Sequence, residues 1–346
     1  MSTNRLLFLD GFRALSVILV VLFHYTYNYV VKYGDAEQAV VQFKSGGVGV
    51  SLFFIISGYV ILMSLEKKDL VGFIVSRVSR LYPAYIFGVL ITSIAIFSFG
   101  GWYAELDFIN FLKNLTMFQY YLGGSNIDGV YWSLRVEVAF YIGIASLFYA
   151  APRRYFWLIV TLVTMLACSV NSIVKTSDLP FVLDVIRKLT ILEFIPYFAL
   201  GMLIYYKSDR CKTNYGESKF GFLFLVLLSV ISFDLLCNKD TSKGSFLILM
   251  SGIMYAFSQQ KFVGFMQVFE TRFLVYIGRL SYSIYLLHQV IGYLLIHYFV
   301  SLGIDLYFSI FMTVAVILLM SHVTFILIEG NLSSLVSKRL TAYVEK

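Results

Sequence analysis

Residues 9–25 read LDGFRALSVILVVLFHY, an almost wholly apolar run that nonetheless contains Asp10, Arg13 and His24. Wound as a helix rising about 1.5 Å per residue, such a run approaches the thickness of a bilayer's hydrocarbon core. A segment that only anchored a chain would carry none of these three polar side chains, because ionisable groups at that depth cost free energy unless they face protein or a wet cavity.

The composition around this run sets the class. Of 346 residues, 59% are hydrophobic and 14% charged, with 33 Phe and 26 Tyr, and the mean hydropathy is +0.81. A soluble domain has nowhere to bury that much apolar surface, so the chain reads as an all-α polytopic membrane protein. Four prolines and no low-complexity segment argue for one membrane domain over 1–346. Cys168, Cys211 and Cys237 are odd in number and lack metal-ligand spacing, so neither a disulfide framework nor a metal site is expected. The first segment has too long a core, and no small-residue cleavage site, for a removed signal peptide.

Apolar runs long enough to span fall near 12–31, 46–65, 81–99, 131–150, 155–173, 189–206, 220–237, 245–258, 277–299 and 306–328. These predict about ten transmembrane helices with both termini on one side. With the termini inside, most of the 27 Lys and Arg fall in cytoplasmic segments, among them Arg5, Lys67, Lys68, Arg77, Arg80, Arg153, Arg154, Arg210 and Lys212. Lys32, Lys44, Lys113, Lys175, Arg187, Lys188, Lys239 and Lys243 fall outside. The bias places both termini in the cytoplasm. The net charge of +7 is then a topology signal, and no nucleic-acid partner is needed to explain it. The two halves lack the matched broken segments of inverted-repeat transporters.

Arg13 and His24 are eleven residues apart, about three turns plus 20°, so both project from one face of the first helix, about 16 Å apart along it. Asp10 can pair with Arg13 at i, i+3. The fourth span, in YWSLRVEVAFY (131–141), carries Arg135 and Glu137. Glu137 enters from the outer side to about 9 Å depth, approaching the level of His24. An imidazole and a carboxylate in one cavity would form a base and its orienter; alternatively, Arg135 and Glu137 pair structurally with other buried groups. His288, in GRLSYSIYLLHQ (278–289), lies near mid-depth and fits either that cavity or a structural role. His297 and His322 read as structural. Arg77 and Arg80 are i, i+3 neighbours on the cytoplasmic side, a fork suited to phosphate oxygens or simply two topology charges. The segment near 100–129 is the largest outer loop, suited to an interfacial helix or a sugar-contacting platform.

These residues together resemble the acyltransferase-3 family of membrane O-acyltransferases, which includes bacterial O-antigen and exopolysaccharide O-acetylases. LDGFRALSVILVVLFH resembles its opening motif, a basic residue and His separated by ten residues, matched by Arg13 and His24. GVGVSLFFIISGYVI is similar to its second-helix signature, RVSRLYPAY to its Arg-x-x-Arg element, and FLKNLTMFQ with VYWSLRVEVAFY to its outer loop and fourth helix. FIPYFALGMLI and IGRLSYSIYLLH resemble later helices. The family's last helix usually closes with Glu then Pro; here Glu329 is followed by Gly330, Asn331 and Leu332. With the sequence read to residue 346, the esterase-like outer domain that some members append is not expected here.

The resemblance implies acetyl-CoA or another acyl-CoA as donor, a glycan or lipid-linked glycan hydroxyl as acceptor, and residence among membrane lipid in a bacterial inner membrane. Arg77 and Arg80 would then hold the CoA phosphates, Arg13 with Asp10 the channel mouth. His24 would act as general base or acyl carrier with Glu137 as orienter. Ser57 is a candidate donor to the thioester oxygen, or a helix-packing residue. Trp132, Arg135 and His288 are substrate-contacting or structural polar positions. The competing class is a transporter with a buried His/Arg/Glu path, for which no acyl donor would be needed. G-x-S-x-G, P-loop and H-E-x-x-H motifs are absent from the sequence, leaving serine hydrolase, NTPase and zinc protease readings without support.

Overall fold

A computed structural model describes residues 6–33, 41–99, 107–176, 190–208, 217–237 and 240–344. Arg5, Arg187, Lys188, Arg210, Cys211, Lys212 and Lys239, the start of the expected sixth span and residues 100–106 of the outer loop lie outside them. Among the described residues every regular element is helical. That is the outcome expected where lipid offers no hydrogen bonds and each backbone amide must be satisfied within its own segment.

Among the described residues, six stretches are long and apolar enough to span: Leu7–Tyr33, Lys44–Leu65, Leu70–Phe99, Gly129–Ala150, Arg153–Ile173 and Leu306–Tyr343. The expected sixth, seventh and eighth spans correspond to the shorter helix Ile195–Tyr206 and to Glu217–Cys237 and Thr241–Ser258. The expected ninth span needs correction. It is not one helix but two, Arg272–Leu287 and Val290–Ser301, bent by 76° at His288–Gln289. The third span starts earlier than its apolar run, at Leu70, so Arg77 and Arg80 lie within the helix Leu70–Phe99 and do face alike. Phe97, Phe99, Phe311 and Leu319 are exposed on their helices, as lipid-facing side chains are.

The chain divides into two compact units. The first comprises Met1–Ser16, Val50–Leu70 and Val136–Val275. Its helices cross through glycines: a Cβ at Gly58 would collide with the carbonyl of Phe198, and one at Gly201 with the carbonyl of Ile55. The helices Val48–Leu65 and Ile195–Tyr206 therefore approach backbone to backbone, the small-residue solution to packing without a hydrophobic driving force. Phe140 stacks on Phe198 at 3.9 Å beside this crossing. At one end, Tyr205 donates to Glu66 at 2.7 Å and Tyr149 to the Lys68 carbonyl at 2.6 Å.

The second unit comprises Val17–Gly49, Val71–Arg135 and Tyr276–Lys346. Its core includes Tyr25, Tyr29, Val30, Tyr293, Ile296 and Leu306. The outer loop here contains the helix expected of an interfacial segment. Phe108–Leu115 is a short amphipathic helix, N-capped by Asp107, with Phe108, Ile109 and Leu112 exposed. The following turn is tied down by Asn114, whose amide donates to Asn110 and Ser125 carbonyls at 2.8 Å and accepts from the Ile127 amide.

Candidate active site

The second unit holds a buried polar constellation around His24 and His288. The first helix, Leu7–Phe23, passes at His24 into a π-helical turn, His24–Asn28, closed by the Tyr29 amide on the His24 carbonyl. One π turn inserts an extra residue into the helical register, a distortion that persists where a side chain must be aimed. The His24 side chain is 9% exposed, with Nδ1 2.9 Å from the Val20 carbonyl and 3.2 Å from Nε2 of His288. His288 is fully buried, and its own Nδ1 lies 2.9 Å from the Tyr285 carbonyl and 3.2 Å from that of Ile284.

His288 reaches this place because its helix breaks there. A break inside a membrane strands backbone groups unless other parts of the protein satisfy them, and here they do. Tyr25 donates to the His288 carbonyl at 2.7 Å. Asp128 accepts from the Val290 amide at 3.1 Å and from the Val130 amide at 3.0 Å, so one carboxylate starts both Val290–Ser301 and the turn into Trp132–Ala150. Gly292 has no side chain to obstruct the Tyr25 ring, and Gly129 none to obstruct the Gln289 amide. Asp128, one residue before its span, is fully buried; burial pushes its carboxyl up to about 7, against the two amides that favour the charged form.

The first unit holds Glu137, which accepts from Ser57 Oγ at 2.9 Å and from the Tyr141 hydroxyl. Ser57 is 8% exposed, and its proton is committed to Glu137. Asp10 is fully buried and pairs with Arg13 at 2.9 Å, as the i, i+3 spacing predicts. Thus Glu137 and His24, expected as a pair, fall in different units, and the imidazole that meets His24 within its own unit is His288.

Of the remaining expected residues, Arg77 is half-buried, donates to Ser76 at 3.1 Å and lies over the Phe73 ring at 5.7 Å, whereas Arg80 is exposed. Arg135 stacks over Tyr120, 4.0 Å from the ring centroid, and Trp132 opens its helix half-buried. Sequence reasoning missed Asp128, Tyr25 and Tyr141. Tyr141 had a signal, being i+4 from Glu137; Asp128 stands as a capping residue before a span in NIDGVYW; Tyr25 had none.

A family described as "Acyltransferase domain" matches residues 6–328. A "Putative O-acetyltransferase" of Staphylococcus aureus (strain COL) is 25% identical over 343 residues, covering 86% of this chain and 52% of that protein. Nodulation protein 10 of Rhizobium leguminosarum bv. viciae is 27% identical over 122 residues, 29% of this chain and 32% of its own. The peptidoglycan O-acetyltransferase OatA of Listeria monocytogenes is 28% identical over 154 residues, 39% of this chain and 22% of its own. The chain spans about half the length of the first of these, 52%. No solved structure matches it.

Proposed function

We propose, from the premise that this chain belongs to the acyltransferase-3 family, that it moves an acyl group, acetyl in the first instance, from a cytoplasmic acyl-CoA to a hydroxyl of an envelope or lipid-linked glycan. The observation that carries the reading is the buried imidazole His24, fixed at Nδ1 within a π turn and against a broken helix. Neither distortion is needed to cross a bilayer, and the break is held by side chains rather than by its own backbone ladder. The O-acetyltransferase names of two relatives support the reaction class, and a bacterial inner membrane is the proposed location.

In this reading His24 is the general base. The acceptor hydroxyl gives its proton to the imidazole as its oxygen attacks the thioester carbonyl. The carbon–sulfur bond then breaks, and the departing CoA sulfur takes the proton back, leaving an ester and free thiol. Arg77 and Arg80 bind CoA phosphates, charge-assisted contacts for which guanidinium geometry is suited. Asp10 holds Arg13, and Ser57 with Tyr141 holds Glu137.

A transporter would need no acyl donor, so donor binding separates the classes. Purified protein should bind CoA, as read by calorimetry, and the Arg77→Ala/Arg80→Ala pair should weaken binding at least about tenfold, since hydrogen bonds to charged groups contribute about 1.5–3 kcal/mol. Absence of CoA binding by the wild type would contradict the proposal.

A further inference from the structure

We propose that His288 is a positioning residue: together with the Val20 carbonyl it holds His24 as the Nδ1–H tautomer, so that Nε2 carries the lone pair used in acyl transfer. The inference rests on the role given to His24 above and follows from which atoms can donate. His288 Nδ1 faces the carbonyls of Tyr285 and Ile284 at 2.9 and 3.2 Å. Carbonyl oxygens only accept, so that nitrogen must carry a proton. In a neutral ring the other nitrogen, Nε2, is then an acceptor. It lies 3.2 Å from His24 Nδ1, which also faces the Val20 carbonyl at 2.9 Å.

His24 Nδ1 therefore meets two acceptors and no donor. Were it unprotonated, its lone pair would oppose both a carbonyl and a second ring nitrogen in a low-dielectric interior, where an unmade hydrogen bond is most costly. Protonated, it shares one N–H between the two. The proton on Nδ1 leaves the lone pair on Nε2, which has no hydrogen-bond partner among the described residues.

The arrangement keeps its sense during reaction. When Nε2 takes the hydroxyl proton, the Nδ1–H bonds to Val20 and His288 become charge-assisted and strengthen. His288 receives no proton and keeps its own Nδ1–H on the two carbonyls. The helix break supplies the geometry: Tyr25 holds the His288 carbonyl and Asp128 the Val290 amide, fixing the turn on which the ring sits.

The test uses full-length protein labelled with nitrogen-15 in its histidines, of which there are only four. Ring-nitrogen chemical shifts distinguish a protonated from a lone-pair nitrogen, and His24→Ala assigns the His24 signals without any substrate. Wild type should show His24 protonated at Nδ1 and bare at Nε2. His288→Leu, which removes one of the two acceptors at similar volume and leaves the Val20 carbonyl, should raise the share of the opposite tautomer and lower kcat about 10- to 100-fold, as loss of the partner that orients a metal-bound imidazole does, with KM for acetyl-CoA little changed. His288→Gln retains an acceptor at that reach and should restore both tautomer and kcat; it carries the test should the leucine variant fail to fold. A wild-type His24 protonated at Nε2 would overturn the proposal, as would a glutamine or leucine variant whose tautomer changes while kcat does not. Because the spectrum needs no turnover, it can fail while the acyltransferase reading stands, and the reverse.

Discussion

Asp128 carries more of the architecture than its place between two spans suggests. It satisfies amides at the starts of two helical elements, and its burial raises its pKa from 3.8 to about 7. Between about pH 4 and 7 the folded protein thus keeps a proton that the unfolded chain has already released. Stability from this group falls as pH rises through that window and levels off above it. Thermal unfolding in detergent at steps from pH 4.5 to 8 should show wild type losing stability relative to Asp128→Asn across the window. The variant itself starts about 1–3 kcal/mol lower for the amide it leaves unsatisfied. A pH-independent difference between the two would contradict the assignment. At this scale the sequence was partly legible. Asp10 with Arg13 was readable from spacing, because a helix brings i and i+3 together whatever surrounds them. His24 stood out because imidazole is costly in lipid. Its meeting with His288 was not readable, because it depends on a contact between residues 264 positions apart.

The elements show where helical periodicity ends as a guide. LLHQV (286–290) contains no Gly or Pro, so nothing local marks the 76° break; the break is imposed from outside by Tyr25 and Asp128. The π turn at His24–Asn28 is equally silent, since its polar residues mark the segment as unusual for a span without marking a change of helical register. The glycine crossing, by contrast, was half-readable: FIISGY (54–59) and FALGM (198–202) carry the small residues, although their partnership is tertiary. Gly58→Ala and Gly201→Ala should each cost about 1–3 kcal/mol by overpacking, with their helices forced apart. Gly143→Ala, whose Cβ meets nothing within 4 Å, should be neutral or stabilising by up to about 1 kcal/mol. Equal thermal stability of all three variants in the same detergent would contradict the close crossing.

For the molecule as a whole, composition alone dictated a helical membrane protein, because 59% hydrophobic content has no other stable disposition. The span count was less secure. Hydropathy cannot tell an uninterrupted helix from two that meet at an angle, and among the described residues six long stretches and one bent pair are joined by shorter helices at the expected sixth to eighth spans. The ordered motifs, from Arg13 and His24 through Arg77 and Arg80 to Glu137, matched the family that the whole-chain comparison identifies over residues 6–328. What they could not convey is the local partners of each: Ser57 and Tyr141 for Glu137, and His288 for His24. The central claim is that His24 transfers an acyl group from CoA to a hydroxyl. The direct measurement incubates membranes holding equal amounts of wild type or His24→Ala with labelled acetyl-CoA and a crude envelope-glycan acceptor, then counts label released from the glycan by mild alkali. Alkali-labile label with wild type, and a loss of at least about 100-fold in the variant, is the predicted result; equal transfer by both proteins would contradict the account.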